Sequence, residues 1–223
     1  MNLITEALER GENTLSEHAS KQLLVAYGIP VSREVEVRRP EDLAGALDEV
    51  GFPLVLKACG ARFTHKTERG LVRVDLRTRE EALRAFEAIW PEAEQAAGSV
   101  LVQEMVGGRR ELVAGLTRDP QFGPCVMFGL GGIFTEILRD VVFRVAPVAE
   151  RDALDMLSEI KGRRILDAVR GMPPADRDQL ARILIALGRI GLEHPRVKEI
   201  DVNPLILDAE RPVAVDALVV LGD

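Results

Sequence analysis

Aromatic residues are nearly missing from this sequence. Phe, Trp and Tyr make up 4% of its 223 residues, with a single Trp and a single Tyr. Its core must therefore be aliphatic, and the hydrophobic fraction of 47% is ample for that. Cysteine is scarce as well. Cys59 and Cys125 fall in separate strand-like segments, too few for a disulfide framework or a cysteine metal set. They read as reduced packing residues, and a cytoplasmic location is expected. Basic blocks are absent and the net charge is −7. Such a chain lacks the clustered Lys and Arg that nucleic-acid phosphates require. No segment approaches the ~20 apolar residues of a membrane helix, so no membrane partner is expected. The opening stretch MNLITEALERGENTLSEHASK carries acids and no long apolar run, unlike a signal peptide. The G-x-x-x-x-G-K-[ST] phosphate loop is also missing.

What is present alternates between strand and helix patterns. Residues 14–27 read as a helix ended by Gly28-Ile29-Pro30. A strand follows near 33–38, a helix over 40–50, and a buried strand in FPLVLKACG. GLVRVDLR alternates as a half-buried strand, 78–97 as an amphipathic helix, and SVLVQEMV as a strand that stops at Gly107-Gly108. The second half opens with strand, turn at Asp119-Pro120, and strand, an antiparallel hairpin. FTEILRDVVFRVAP continues extended. Helices are expected over 150–160, 162–170 and 176–191, and a final hairpin closes the chain. The expectation is an α+β protein of two lobes, 1–107 and 108–223.

Lys57 sits inside an apolar strand, with Val55 and Cys59 on the same face. Only five of the 29 basic residues are lysine. Two readings stand: a compact point charge placed for a phosphate, or a lysine snorkelling from a strand end. In KEIDVNP, Glu199, Asp201 and Asn203 share one strand face, and VAVDAL brings Asp216 back toward Asn203. Such hard oxygen donors suit Mg²⁺, which takes one or two carboxylates plus water and phosphate oxygens. The competing reading is a solvated polar face, but an acid in the apolar PVAVDALVVL strand needs a partner. Glu104 and Glu111 flank the expected crossing between lobes, where an adenine ring and a ribose can be read. A charged linker would look alike. FGLGGI is not the dinucleotide fingerprint, since residue 134 is Phe where that pattern needs Gly or Ala. Gly131-Gly132 either lets backbone approach a ligand or makes a tight turn.

Together these stretches resemble the ATP-grasp family. More narrowly they resemble the β subunit, or β-like domain, of ADP-forming acyl-CoA synthetases, relatives of succinyl-CoA synthetase. FPLVLKACGARFTHKTERG, VLVQEMVGG with the hairpin after it, and EIDVNPL carry the resemblance, which runs over nearly the whole chain. It implies an ATP-grasp fold, two α/β lobes with the nucleotide bound between them. It implies that Lys57, Arg69 and Gly70 meet the ATP phosphates. Gln103, Glu104, Met105, Val106 and Glu111 would form the rest of the ATP site, and Gly131 and Gly132 the phosphate loop. Glu199, Asn203 and Asp216 would hold Mg²⁺.

The resemblance further implies that THKT contains a phosphorylatable histidine. His65 would take the γ-phosphate of ATP and relay it to a histidine of a partner α subunit. A neutral imidazole is a competent nucleophile near its usual pKa of ~6.5, and Lys66 and Arg69 would offset phosphate charge. The α subunit would supply the CoA-binding and phosphohistidine domains in an α2β2 assembly, and acid and CoA would bind through it. His18 and His194 read as structural or surface residues. One position departs from the family: Leu71 stands where the second of two adjacent glycines is usual. Two other functions use the same motifs: a self-contained carboxylate–amine ligase, and a nucleotide-binding regulatory module without catalysis.

Overall fold

The structure is a computed structural model, and it describes residues 3–60, 70–132 and 140–222. His65, Lys66 and Arg69 lie outside the described residues. The chain divides into a smaller unit, Leu15–Ala19 with Ser32–Met105, and a larger unit, Met1–Thr14, Ser20–Val31 and Val106–Asp223. The chain passes from the smaller to the larger unit for the last time between Met105 and Val106. The leading segment divides otherwise than 1–107 implied. Backbone bonds Leu221 N to Asn13 O (2.8 Å) and Ala214 N to Pro30 O (2.9 Å) hold most of it among the C-terminal strands.

The smaller unit is one antiparallel sheet. Its strands are β1 (Glu34–Val37), β2 (Leu54–Cys59), β3 (Val72–Leu76) and β4 (Ser99–Glu104), in the order β1-β4-β2-β3. One face is aliphatic: Leu54, Leu56, Ala58, Val100 and Val102 pack on helices α3 (Leu43–Val50) and α4 (Arg79–Gln95). The paucity of aromatics thus yields the expected core, with Phe86 stacked on Trp90 as its one ring pair among the described residues. Helix α4 begins where Thr78 and Glu81 form a capping box, each satisfying the other's backbone N–H.

The larger unit carries α1 (Leu3–Glu9), a helix the sequence patterns did not announce, and all but the first turn of α2 (Glu17–Ala26). Its strands are β5 (Glu111–Asp119), β6 (Gly123–Leu130), β7 (Val141–Val145), β8 (Val197–Asp208), β9 (Arg211–Ala214) and β10 (Ala217–Leu221). They form one sheet in the order β10-β8-β5-β6-β7, with β9 also on β8. Helices α5 (Glu150–Glu159) and α6 (Arg177–Glu193) complete the unit. A Cβ at Gly191 of α6 would stand 2.4 Å from Leu116 and 2.8 Å from Pro124, so this helix lies close against the sheet.

The helix expected over 162–170 is a single 3-10 turn, Arg163–Leu166. The buried Arg110 guanidinium takes the carbonyls of Ile165 and Asp167, at 3.2 and 3.3 Å. A bridge between Val169 and Met172 then reverses the chain at Gly171, whose φ is +81°. Those carbonyls are spent on arginine, so the helical ladder does not continue.

Candidate functional site

The expected site residues fall on two surfaces, one in each unit. In the smaller unit, the sheet face opposite the aliphatic core is polar yet buried. Register places Val55, Lys57 and Cys59 of β2 beside Gln103, Leu101 and Ser99 of β4, with Glu34 and Glu36 of β1 beyond. Lys57 is 5% exposed and Gln103 fully enclosed. Ser99 Oγ donates to Glu36 Oε1 at 2.7 Å. The start of α2 supplies two more members. Ser16 caps the helix by accepting the Ala19 N–H at 3.2 Å. Glu17 then accepts from Lys57 Nζ at 2.7 Å, and His18 Nδ1 lies 2.8 Å from Glu34 Oε1. Lys57 is thus fully inside, not snorkelling, and its counter-charge is Glu17. No local pattern marked Glu17 as that partner, because the two residues are 40 positions apart.

The end of the strand expected to read adenine is tied down by contacts within the protein. Both oxygens of Glu104 accept from Arg33, one from its backbone N–H and one from Nε, each at 2.8 Å. Met105 donates its N–H to Pro53 O at 3.2 Å. The Glu104 carboxylate and the Met105 N–H therefore hold this strand end in place. Gly70 has a φ of +68°, and the Arg73 guanidinium donates to its carbonyl. Leu71, the departure from the family pattern, is 2% exposed and belongs to the aliphatic core, and its carbonyl accepts from Ala58 N at 3.0 Å.

In the larger unit, the alternation in β8 is realised. Ile200 and Val202 are buried, while Glu199 and Asn203 are exposed and Asp201 is half-buried. Asp216 returns beside Asn203, whose backbone N–H donates to the Asp216 carbonyl at 3.3 Å. Burial raises Asp201 to about 6, and the charges of Glu199 and Asp216 push the same way. The acids are close enough to repel one another. Among the described residues, no three His, Cys, Asp or Glu side chains converge into a closed metal cage. An oxygen-only donor set with local excess negative charge, open to solvent, still fits Mg²⁺, which keeps most of its water and phosphate ligands. Gly115 faces Asp201 across the ladder, and a Cβ there would stand 2.5 Å from the Ile200 carbonyl. The patterns did not single out this glycine.

The glycine turn is built around Glu111. Gly131 donates its N–H to Glu111 O at 2.9 Å, and a Cβ on Gly131 would strike the Leu112 carbonyl at 2.7 Å. Gly131 is therefore a packing requirement of β5. Gly132 differs: its φ is +61°, and the atom nearest to an added Cβ is Glu111 Oε2, at 2.7 Å. The carboxylate lies over the turn. Val106 and Glu111 are both half-buried.

Among the described residues, no helix is long and apolar enough to cross a membrane. A family model described as an ATP-grasp domain matches residues 6–221. The chain is 40% identical over 223 residues to the acetate–CoA ligase [ADP-forming] I subunit beta of Pyrococcus furiosus, covering 98% of this chain and 96% of that one. It is 37% identical to the acetate–CoA ligase [ADP-forming] I of Archaeoglobus fulgidus, but spans only 33% of that longer protein. A solved dinucleotide forming acetyl-coenzyme A synthetase 1 of Ca. Korarchaeum cryptofilum, in complex with coenzyme A, Ca-AMPCP and HgCl+, superposes with a TM-score of 0.93, 41% identity and 99% coverage of both chains. A second structure of that enzyme, 42% identical with a TM-score of 0.88 and the same coverage, holds Mg-AMPPCP with a phosphohistidine segment pointing towards the nucleotide binding site. This chain belongs to the ATP-grasp family, alongside the β subunits of ADP-forming acetyl-CoA synthetases.

Proposed function

We propose that this chain is the nucleotide-binding β subunit of an ADP-forming acyl-CoA synthetase, catalysing with an α subunit acid + CoA + ATP = acyl-CoA + ADP + phosphate. The observation that carries this reading is the end-to-end match to a separate β subunit, 98% of this chain against 96% of that one. In this reading the chain binds MgATP, and the partner brings CoA, the acid and a second histidine. The stoichiometry is α2β2 and the location cytoplasmic.

Phosphoryl transfer needs in-line placement and charge neutralisation more than covalent chemistry. Lys57 supplies a fixed cation. An ammonium is a compact charge with three donor protons, suited to meeting phosphate oxygens. Asn203 and Asp216 would hold the Mg²⁺, with Glu199 near, and the metal would supply neutralisation of the phosphate charge. Glu111, lying over Gly132, orients the nucleotide. His65 takes the γ-phosphoryl group on a ring nitrogen as the bond to the ADP oxygen breaks, and hands it to the partner's histidine. The acyl phosphate then forms on the α side, where CoA displaces the phosphate.

The test is incubation of the purified chain with Mg²⁺ and γ-labelled ATP, followed by assay for acid-labile, base-stable phosphate. Label that disappears in His65→Ala is the expected result, and acyl-CoA is expected only after addition of the α subunit. Acyl-CoA formation by the lone chain would sink the reading. So would ADP release with a carboxylate and an amine in place of CoA.

A further inference from the structure

The role of Glu17 is not explained by the reaction as written. It sits in the first turn of α2, 5% exposed, with its carboxylate 2.7 Å from Lys57 Nζ. A buried ion pair is weak evidence for stability, because desolvating two charges offsets most of their attraction. The α2 start also has a second tie to this sheet, since His18 lies 2.8 Å from Glu34. Nor is the cation the one a purely structural pair would select. This chain uses five lysines against 24 arginines, and arginine would grip a carboxylate with two parallel bonds. Lysine instead gives a compact point charge.

We propose that Glu17 is a positioning residue for Lys57: its buried carboxylate fixes the ammonium at the place where a nucleotide phosphate is bound. The inference rests on the reading of Lys57 as a phosphate ligand. Three features support it. The helix N-terminus favours an anion in its first turn, so Glu17 is held as a carboxylate where it stands. The strand bearing Lys57 is flanked by β3 and β4, so the backbone end of the lysine is fixed. Glu17 fixes the other end. A four-carbon stem loses much rotamer freedom when its head is held, and a pre-placed ammonium spares the nucleotide that cost on binding.

The experiment measures binding of Mg·AMPPCP and of adenosine to the full chain and to Glu17→Gln and Lys57→Met. Glutamine keeps the shape and an acceptor oxygen but removes the charge. The expected result for Glu17→Gln is a loss of about tenfold or more in Mg·AMPPCP affinity, with adenosine affinity within about twofold of wild type. Adenosine has no phosphate, so general damage to the fold would weaken both ligands equally, and equal weakening overturns the proposal. If Lys57→Met loses Mg·AMPPCP affinity while Glu17→Gln does not, Glu17 positions nothing and the proposal fails alone. If Lys57→Met leaves Mg·AMPPCP affinity unchanged, the phosphate reading of Lys57 fails and takes this one with it. Should Glu17→Gln not fold, Glu17→Asp keeps the charge but withdraws it by one methylene. It should give a selective loss of about two- to tenfold for Mg·AMPPCP, and an equal loss for adenosine, or no loss at all, overturns the proposal.

Discussion

The carboxylate of Glu111 lies directly over Gly132: Oε2 would be 2.7 Å from a Cβ placed on that glycine. The two adjacent glycines of the turn thus serve different ends. Gly131 is closed off by the Leu112 carbonyl and cannot bear a side chain without moving β5. Gly132 could bear one only by displacing Glu111 and by holding a φ of +61°, which costs a non-glycine residue roughly 1–2 kcal/mol. Gly132→Ala should therefore fold, with slightly lower stability, and bind MgATP about tenfold or more weakly because Glu111 has moved. Gly131→Ala should mainly lose stability. Thermal melts and nucleotide titration on both variants check this, and equal behaviour of the two would refute the division of labour.

Metal removal separates the acidic strand from the rest of the site. Asn203 and Asp216 are joined through their backbones at 3.3 Å, so both can address one ion. Asp216→Asn should lower Mg·AMPPCP affinity about tenfold or more, yet leave affinity for the metal-free nucleotide in EDTA unchanged. Lys57→Met should weaken both. A uniform loss in Asp216→Asn, with and without metal, would place Asp216 outside the ion's shell.

The strand pairing of the first hairpin, the sharing of one strand face by Lys57, Val55 and Cys59, and the one-sided set Glu199–Asp201–Asn203 were all legible, because strand alternation has a period of two and a slip would invert every side chain. The return of Asp216 to Asn203 was legible from the hairpin, but Asp216 falls between β9 and β10 and not inside the apolar strand expected for it. What the sequence could not give was partner choice across long separations. Glu17 for Lys57 and Arg33 for Glu104 are set by tertiary register, 40 and 71 residues apart. The missing helix after Gly162 has a similar cause: its carbonyls go to Arg110, more than 50 residues earlier. Gly131 left two readings in the sequence, approach to a ligand or a tight turn, and only the folded structure shows how closely the Leu112 carbonyl packs against it, at 2.7 Å from an added Cβ. His65 and Arg69 lie outside the described residues, and their roles stand as proposals.

Leu71 tests whether the departure from the paired-glycine pattern harms the loop. Gly70 alone occupies the left-handed region, at φ +68°, and Leu71 contributes its side chain to the core. Leu71→Gly should therefore not improve phosphorylation. It should cost about 2–5 kcal/mol in stability, as removal of a buried leucine does. A denaturant titration and the γ-label assay on the same variant measure both. Faster labelling with unchanged stability would show that the leucine is a defect rather than a core residue.

The pH dependence of the larger unit should report on Tyr27. Its hydroxyl donates to Glu193 Oε2 at 2.5 Å, lies 2.9 Å from His194 Nε2, and its ring carries the Arg189 guanidinium at 5.4 Å. Burial first, and the Glu193 hydrogen bond second, raise Tyr27 from 10.0 to about 12. A raised value means the neutral phenol is favoured in the folded state, so this contribution is whole below pH 10 and disappears as pH climbs toward about 12. The same bond lowers Glu193, through the Tyr27 hydroxyl first. That contribution is present above its ordinary value of 4.5 and is lost as acid protonates the folded carboxylate. Tyr27→Phe removes both arms at once. Its melting temperature should fall below wild type at pH 7–8, where both the phenol is neutral and the carboxylate is ionised. The gap should close on both sides, in strong base and in strong acid. A gap that stayed constant from acid to pH 12 would mean that the hydroxyl contributes packing and not a hydrogen bond to an ionised partner.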